Sequence, residues 1–379
     1  MKIAVASTGR FHVLDLAREL HALGHHVRFY SYVSRRRSRQ FGLPDQCHVP
    51  LLPLVFPAVA WERTRLRLMP QTQERLLCAM VNRAVMLRLR PCDVFVCMSG
   101  YYLEAAHFAR ERFGAGIWLE RGSCHILSQD ETLRAIPGAE RPSPLTISRE
   151  LAGYALADRV AVPSRHVAES FRRDASAHAK LFYNPYGVDL AMFPHRDKPP
   201  GDPIALLFVG SWCFRKGCDV LAEAVMQVPG VRLTHVGPIG DLDFPSGDDR
   251  FAHVDPVPQP QLARLYAAAD VFVLASREDG FGVVLPQALA SGLPVICTDR
   301  TGGPDLAHTP DLTAKVTVVP AGDAAALAGA ITAWRDRLRA RERLPTICAG
   351  DRESLGWGAY ARRYSDELSR EFGSQSGRL

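Results

Sequence analysis

The feature that most constrains the fold is a short apolar run followed by an acidic, glycine-rich segment. Residues 271–274 are all apolar, and they lead into Ser276-Arg277-Glu278-Asp279-Gly280-Phe281-Gly282. An apolar, alanine-rich stretch comes next and ends at Gly292. A short apolar run is typical of one buried strand, and a glycine after such a stretch is typical of a helix C-terminus. The pattern therefore predicts a strand, a tight loop and a helix.

The predicted loop combines two chemical properties that point to a ligand. Its backbone N–H groups lie at a helix N-terminus, where the helix dipole favours an anion such as a diphosphate. The carboxylates of Glu278 and Asp279 are unsuited to phosphate but are strong acceptors for sugar hydroxyls. A ligand with both groups is a nucleotide sugar, so we predict a nucleotide-sugar site. The alternative is that Asp279 only caps the helix, and it can also do both.

Length and composition predict two domains. The chain has 379 residues, of which 47% are hydrophobic and 23% charged, enough apolar residues for two cores. The sequence lacks an apolar run of about 18 residues, so we predict no transmembrane helix. Residues 1–6 are too short for a signal peptide and predict a first strand instead. The nine cysteines contain no C-x-x-C pair, which favours a reducing cytoplasm.

Arginines concentrate in two segments of the first half. The clusters are Arg35, Arg36, Arg37 and Arg39, and Arg63, Arg65, Arg67 and Arg75. Two interpretations stay open: a solvated loop, or contact with an anionic membrane surface or a phosphate-bearing acceptor. The second would place the protein at the inner face of the membrane. We expect no nucleic-acid partner, because no aromatic-basic interleaving or DNA-reading motif accompanies the arginines.

Two α/β patterns follow one another along the chain. Residues 2–6, a helical stretch from 13 to 23 and residues 25–30 predict a βαβ unit of a parallel sheet. The first loop contains only Gly9 where a nicotinamide-binding protein would have G-x-G-x-x-G, so nicotinamide binding is disfavoured. Residues 50–72 are rich in proline and arginine, and we predict that they are irregular.

A proline-rich stretch separates the two patterns. Residues 194–203 contain four prolines, and we place the domain hinge there. The second pattern starts with a strand at 204–209 and a loop that contains Arg215 and Lys216. An amphipathic helix is predicted for residues 357–372. The predicted fold class is therefore α/β, with two Rossmann-like domains and a C-terminal helix.

Several motifs together resemble the family-4 retaining glycosyltransferases. The matching segments are Ala157-Asp158-Arg159-Val160 with Pro163-Ser164, Asn184 to Phe193, Gly210 to Gly217, Asp279 to Gly292, Thr301-Gly302-Gly303, and Trp357. They cover most of the chain from about Ala157 onward. The resemblance implies the GT-B fold of two facing Rossmann-like domains. Residues 1–195 would bind the acceptor, residues 196–355 would bind the donor, and residues 356–379 would pack back on the first domain.

The sequence departs from the family pattern at three positions. The two glutamates of the family's E-x7-E element appear here as Asp279, with Glu278 beside it, and Gln287. An amide accepts a hydroxyl hydrogen bond without the assistance of charge. The family's phosphate-loop arginine falls on Ser211, where Arg215 is a substitute, and the lysine is retained as Lys216.

The resemblance also implies a set of site residues. The donor-binding set is Gly9, Gly210, Arg215, Lys216, Glu278, Asp279, Gly280, Phe281, Gly282, Val283 and Gln287. The catalytic set is Asp279, Lys216 and either His125 or Arg121 over the sugar. Two candidates for this role stay open, because Glu120-Arg121 stands where the family usually has a histidine and His125 follows a few residues later. For His125, a plain loop histidine is an equal alternative.

The implied activity is a retaining, metal-independent hexosyl transfer from a UDP- or GDP-sugar, with no further cofactor. The acceptor would be a glycan, a glycolipid or a small molecule in polysaccharide or glycolipid assembly. Lys216 and Arg215 would stabilise the departing diphosphate, whose oxygen takes the acceptor's proton. Two alternatives stay open: a nucleotide-sugar-binding protein without catalysis, and another GT-B enzyme such as an epimerase or a phosphorylase. The D-x-D segment at residues 241–243 is not expected to bind metal.

Overall fold

Two parallel β-sheets organise the chain, one for each predicted α/β pattern. The computed structural model describes residues 1–63, 70–195, 198–342 and 345–372. The strands of the first sheet are β1 (Lys2–Ser7), β2 (His26–Ser31), β3 (His48–Pro50), β4 (Val94–Met98), β5 (Gly116–Glu120), β6 (Arg159–Val162) and β7 (Leu181–Tyr183). Those of the second are β8 (Ile204–Val209), β9 (Val231–Val236), β10 (Phe251–Val254), β11 (Val271–Leu274), β12 (Val295–Thr298) and β13 (Val316–Val319).

Helices cover both sheets. In the first domain they are α1 (Phe11–Ala22), α2 (Arg35–Gln40), α3 (Leu52–Arg63), α4 (Pro70–Arg88), α5 (Leu103–Phe113), α6 (Ile126–Arg134), α7 (Pro144–Leu156), α8 (Arg165–Ser170) and α9 (Ala175–His178). The others are α10 (Cys218–Gln227), α11 (Gln259–Ala268), α12 (Val284–Ala290), α13 (Gly303–Leu306), α14 (Pro310–Thr313), α15 (Ala324–Arg339), α16 (Ala349–Ser354) and α17 (Trp357–Phe372).

The strand order confirms the predicted fold class. The first sheet runs β3-β2-β1-β4-β5-β6-β7 and the second β10-β9-β8-β11-β12-β13, with the described strand pairs parallel. Parallel sheets are covered on both faces, which is why strands such as β5 and β11 are buried along their whole length.

The order of the strands also fixes where a ligand can bind. In the first sheet β1 lies between β2 and β4, and in the second β8 lies between β9 and β11. Open α/β sheets bind ligands beyond the carboxyl ends of the strands at such a switch point. The loops after β8 and β11 therefore share the switch point of the second sheet, and the loop after β1 lies at that of the first.

The prediction of an irregular segment at residues 50–72 is wrong for most of its length. Residues 52–63 form α3, and α4 begins at Pro70. Pro53 stands in the first turn of α3, where its missing N–H is not needed. Val55, Ala58 and Val59 form a buried apolar face, and α3 packs against α4. This burial outweighs the cost of Pro57 inside the helix.

Helix α17 returns to the first domain, as predicted. It packs against α1, and its Tyr364 ring lies 5.0 Å from the ring of Trp118 in β5. Arg363 donates to the side-chain oxygen of Asn184 at 2.7 Å, which ties the helix to the segment after β7. The predicted domain boundary at 195/196 stays a prediction, because residues 196 and 197 lie outside the described residues. No helix in the described ranges is long and apolar enough to span a membrane.

Candidate active site

The loops after β8 and β11 are held against each other at the switch point of the second sheet. Gly217, at φ +66°, is the N-cap of α10, and a methyl group on it would lie 2.0 Å from the carbonyl oxygen of Ala275. Only glycine fits this approach, since it combines a left-handed conformation with no room for a Cβ. Arg277 donates its N–H to the Arg215 carbonyl at 3.0 Å, and its guanidinium binds Asp219. The two loops thus form one rigid unit.

Lys216 and Asp279 form an ion pair between these loops. The Lys216 ammonium contacts the Asp279 carboxylate, whose second oxygen accepts the Phe281 N–H at 3.4 Å. Burial alone would raise the pKa of Asp279, but Lys216, Arg215 and the Phe281 N–H lower it below its usual range. Asp279 therefore stays ionised at neutral pH and remains an acceptor for hydroxyl groups.

A second cation–carboxylate contact lies beside the first. The Arg215 Nη1 donates to the backbone oxygen of Glu278 at 3.1 Å and to its carboxylate at 3.2 Å. Glu278 is buried, and its Oε1 has no partner among the described residues. The switch point thus carries two basic and two acidic side chains, a set suited to a ligand with both phosphate and hydroxyl groups.

The glycines of the acidic loop bring it against the first domain. A methyl group on Gly280 would lie 1.7 Å from the Gly122 carbonyl oxygen, and the Ser164 hydroxyl donates to the Gly280 carbonyl at 2.6 Å. Gly282 adopts φ +78° and turns the chain toward α12. The acidic loop therefore lies in the cleft between the domains.

Other members of the predicted donor set differ in exposure. Phe281 is buried under Gly302, whereas Val283 is 40% exposed at the start of α12. The Gln287 side-chain oxygen accepts a hydrogen bond from the buried Tyr266 hydroxyl at 3.1 Å. That oxygen is the atom expected to take a ribose hydroxyl, so Tyr266 already occupies part of its acceptor capacity.

Two predicted glycines lie at the carboxyl ends of β1 and β8. Gly210 follows β8 at φ +150°, and its carbonyl oxygen lies 2.8 Å from the Nε2 of the buried His235. Gly9 follows β1, where its N–H donates to the Ser7 hydroxyl at 3.3 Å. Gly9 lies in the first domain and Gly210 in the second, so the two face the cleft from opposite sides.

The side chains of His125 and Arg121 are directed into the first domain. His125 is the N-cap of α6 and packs edge-on against Phe171 at 5.0 Å. Burial, aided by Arg173, lowers its pKa to about 4, so the imidazole is neutral at pH 7. Arg121 is buried, and its guanidinium binds Glu150 at 2.8 Å and the Cys124 carbonyl at 2.6 Å. The catalytic assignment of either residue stays a prediction.

Two groups beside the acidic loop were missed by the sequence analysis. His166 follows Ser164, and its Nε2 lies 3.2 Å from the Cys124 sulfur. Burial and the charge of Arg300 lower its pKa, while Asp299 and Asp279 raise it, which places its imidazole in the electrostatic field of the acidic loop. The only sequence signal was the Pro163-Ser164 match, which drew attention to the strand and not to the residue two positions later.

The second missed group surrounds the buried Glu120. Its carboxylate binds His12 at 2.8 Å and the Tyr360 hydroxyl at 3.1 Å. The His12 ring stacks on Tyr186 at 4.1 Å, and Tyr186 contacts Phe281 edge-on at 5.5 Å. This cluster joins the first domain, α17 and the acidic loop.

The arginine clusters are described only in part. Residues 35–39 belong to α2, which Ser34 caps, and Arg39 binds Asp45 at 2.7 Å. Arg65 and Arg67 lie outside the described residues. The membrane contact predicted for both clusters stays a prediction.

The expectation that the D-x-D segment at residues 241–243 binds no metal stays a prediction. Asp241 accepts the Phe214 N–H at 2.9 Å and so supports the loop after β8. Among the described residues, the one group of potential metal ligands close enough together is Asp311, Cys348 and Asp351, which lies away from both donor loops.

Two facing parallel-sheet domains, with a terminal helix that returns to the first, define the GT-B fold of glycosyltransferases. Solved structures agree. A sucrose-phosphate synthase from Thermosynechococcus elongatus superimposes with a TM-score of 0.66 over 99% of this chain and 100% of its own, at 21% identity. Anabaena HepE in complex with UDP-glucose gives a TM-score of 0.65 over 98% of this chain and 100% of its own, at 14% identity.

Family comparison places the chain more closely. A glycosyl transferase 4-like domain matches residues 8–187, and a glycosyl transferases group 1 domain matches residues 203–336. The chain belongs to the glycosyltransferases that combine these two domains.

Curated relatives agree with this family. A D-inositol 3-phosphate glycosyltransferase of Mycobacteroides abscessus is 30% identical over 230 residues, 54% of this chain and 51% of the relative. That of Nocardia farcinica is 29% identical over 282 residues, 64% of this chain and 61% of the relative. The chain thus spans about half of the first relative and somewhat more of the second.

Proposed function

We propose that the protein is a retaining glycosyltransferase that moves a hexosyl group from a UDP- or GDP-sugar to an acceptor hydroxyl without a metal ion. The observation that carries the proposal is the pairing of Lys216 with Asp279 and of Arg215 with Glu278 at the switch point of the second sheet. Two further observations support this activity. The chain belongs to a family of glycosyltransferases, and its cleft has cations suited to a diphosphate and carboxylates suited to a sugar.

The cations stabilise the leaving group. An ammonium has three N–H bonds, so Lys216 can bind Asp279 and still donate to phosphate oxygens. Arg215 adds a guanidinium beside it. Charge develops on the diphosphate as the bond to the sugar breaks, and fixed cations in a partly dry cleft stabilise that charge most strongly in the transition state. These two residues therefore replace the metal ion that some other transferases use.

The carboxylates orient the sugar. Asp279 is ionised because of its lowered pKa, and a hydroxyl of the transferred sugar donates to it. Glu278 has an oxygen, Oε1, that has no partner among the described residues and can accept a second hydroxyl. Holding the sugar at two hydroxyls fixes the reacting carbon relative to the diphosphate, which lowers the entropic part of the barrier.

Retention follows if the acceptor enters on the face that the diphosphate leaves. The leaving oxygen then accepts the proton of the acceptor hydroxyl, and no protein base is required. The inward direction of His125 and Arg121 supports this route, since neither is oriented to abstract that proton. The HepE neighbours bind UDP and UDP-glucose, which makes a UDP-sugar the first donor to test. Polysaccharide or glycolipid assembly, in the cytoplasm or at the inner face of the membrane, is the proposed setting.

The experiment combines donor binding with product stereochemistry. Thermal shift against UDP- and GDP-sugars identifies the donor, and the Lys216→Ala variant is expected to lose that shift. Transfer from an α-linked donor should give an α-linked product by NMR, and EDTA should leave the rate unchanged. A β-linked product or loss of rate with EDTA would contradict the mechanism. Donor binding without turnover across glycan, lipid and small-molecule acceptors would indicate a nucleotide-sugar-binding protein instead.

A further inference from the structure

A cavity at the carboxyl edge of the first sheet lies apart from the donor loops. It has a volume of about 640 Å³ and is lined in part by Gly9, Arg10, Phe11, Arg37, Phe56 and Tyr101. We call it the arginine cavity. Its walls come from the loop after β1, from α2 and from α3, so it belongs to the first domain.

One side of the arginine cavity is apolar and open to solvent. Phe56 is 61% exposed, Phe11 54% and Tyr101 41%. Large apolar side chains grouped on one exposed surface mark a binding site more often than single ones do. Phe11 also adopts φ +31°, a conformation that is strained for an aromatic residue. Its ring lies over Gly9, whose added Cβ would lie 3.0 Å from that ring.

The other side carries positive charge that the described residues neutralise only in part. Arg37 is exposed and forms no ion pair with a described residue, and none of the described lining residues is acidic. Arg10 stacks on Phe41 at 3.7 Å and reaches Asp15 at only 3.5 Å, whereas Arg18 holds Asp15 at 2.7 Å. Burial lowers the pKa of Arg10, Asp15 raises it, and the nearby charges of Arg18 and Arg37 lower it again. Arg37, exposed next to a second arginine, favours an anion at this side of the cavity.

Helix α1 adds to this preference. It begins at Phe11, and its N-terminus has neither a side-chain cap nor an acidic residue in the first turn. Its free N–H groups and dipole therefore add to the field of the arginines.

The arginine pair also faces the cleft between the domains. Arg10 and Arg37 line a second cavity of about 970 Å³, whose opposite wall contains Val257 and Pro258 of the second domain. On the other side of the same loop, His12 stacks on Tyr186, which contacts Phe281 of the acidic loop. A molecule in the arginine cavity is thus held next to the loop that adjoins the donor site.

We propose that the arginine cavity binds the acceptor, and that this acceptor is an anionic amphiphile. Arg10 and Arg37 hold its anionic group, and Phe11, Phe56 and Tyr101 contact its apolar body. The identification of this ligand as the acceptor rests on the proposed function. The anionic group alone would suit a free phosphate, and the exposed aromatic side chains favour a ligand in which an apolar body is attached to it.

The test uses three probes that separate the two halves of such a ligand. Decanoyl lysophosphatidic acid carries a chain, a hydroxyl and a phosphate; decanoylglycerol lacks the phosphate; glycerol 3-phosphate lacks the chain. We expect calorimetry on the full chain to show that lysophosphatidic acid binds at least tenfold more tightly than either of the other two probes. Equal affinity for glycerol 3-phosphate would remove the apolar half of the proposal, and equal affinity for decanoylglycerol would remove the anionic half.

Matched variants assign the binding to the cavity. Arg37→Gln is expected to weaken the binding of lysophosphatidic acid about tenfold and to leave the affinity for decanoylglycerol unchanged. Arg36→Gln, an exposed arginine of the same helix that does not line the cavity, should change neither. Phe56→Ala should weaken both chain-bearing probes, whereas Leu87→Ala, also exposed but elsewhere, should not. Equal losses in Arg36→Gln and Arg37→Gln would overturn the proposal, because they would indicate general surface attraction.

Two further measurements separate the source of the ligand and the role of the cavity. Phosphatidylglycerol vesicles that bind equally well to wild type and Arg37→Gln would exclude a membrane surface as the source of the cavity's ligand. The release of nucleoside diphosphate from the donor should speed up if the lysophosphatidic acid accepts sugar and slow down if it blocks the acceptor. An unchanged rate with the probe bound would overturn the acceptor assignment. If the lysophosphatidic acid binds in an Arg37-dependent way but the protein turns over no nucleotide-sugar donor, the amphiphile site stands and the proposed function is wrong.

Discussion

The two edges that face the cleft are built in opposite ways. At the second sheet, the loops after β8 and β11 are joined by a glycine contact and two ion pairs, and Phe281 is buried between them and the first domain. At the first sheet, the arginine cavity is open, with exposed aromatic side chains and an arginine that no described carboxylate neutralises. The rigid edge of the second sheet suits a donor, because every nucleotide-sugar donor carries a diphosphate. The open edge of the first sheet suits an acceptor, because acceptors differ between enzymes.

The largest effect expected from this contrast is at Lys216. Lys216→Ala removes the cation nearest Asp279, and we expect kcat/KM for the donor to fall about 10³-fold, equivalent to about 4 kcal/mol of transition-state stabilisation. Steady-state kinetics on the folded protein measures it. Lys198→Ala is the control, because it removes a lysine from another Lys–Asp pair of the second domain, outside the donor loops. A similar fall in both variants would mean that Lys216 acts through stability alone, and the two edges would then not differ in function.

The next effect tests the rigidity of the donor edge. Gly217→Ala places a methyl group against the Ala275 carbonyl in a left-handed conformation, and we expect a loss of about 3 kcal/mol or more in the free energy of unfolding. Gly24→Ala has a similar backbone, φ +90°, with nothing within 4 Å of the new methyl group, so it should lose only about 1 kcal/mol. Urea unfolding of both variants gives the difference. Equal losses would show that backbone strain, and not the contact between the loops, holds the edge.

A smaller, pH-dependent effect belongs to His125. Its folded pKa of about 4 lies below the value of about 6.5 in an unfolded chain. Between pH 6.5 and pH 4, His125 is therefore protonated in the unfolded chain but neutral in the folded protein. The stability that this residue contributes above pH 6.5 is lost as the pH falls toward 4. We expect this loss to be about 2 kcal/mol at pH 5 and about 3 kcal/mol at pH 4.

His125→Asn isolates that contribution. Asparagine keeps an acceptor for the Leu127 N–H and so preserves the cap of α6. The variant should have a shallower decline in the free energy of unfolding between pH 6.5 and 4. Unchanged pH dependence would contradict the burial argument, and a turnover loss of more than a hundredfold at pH 7 would instead support the predicted catalytic role.

More of the donor edge than of the acceptor edge could be predicted from the sequence, and the reason is physical. Glu278 and Asp279 lie in one short loop whose glycines and charges are local. The resemblance to the family added Lys216 to the same predicted donor set, but its ion pair with Asp279 was not predicted. The contact between Ser164 and Gly280 was not foreseen, because the two residues are 116 positions apart and only tertiary packing joins them.

Phe56 shows the same limit for the first domain. Its segment is rich in proline, which predicts irregular structure, yet the burial of one apolar face on α4 makes it helical and leaves the ring exposed. A family pattern carries information about the common donor, whereas the acceptor edge depends on packing that no short motif records.

The smallest predicted effect sharpens the comparison by changing the donor edge toward the family pattern. In Gln287→Glu, the Tyr266 hydroxyl can still donate to one carboxylate oxygen, and the other oxygen becomes a charged acceptor for a ribose hydroxyl. A charge-assisted hydrogen bond contributes about 1 kcal/mol more than a neutral one, so the donor should bind about fivefold tighter. Gln261→Glu, exposed on α11, controls for the change in net charge. Weaker donor binding by Gln287→Glu would mean that the amide donates to the ligand, and the departure from glutamate would then be a feature of this protein's own donor.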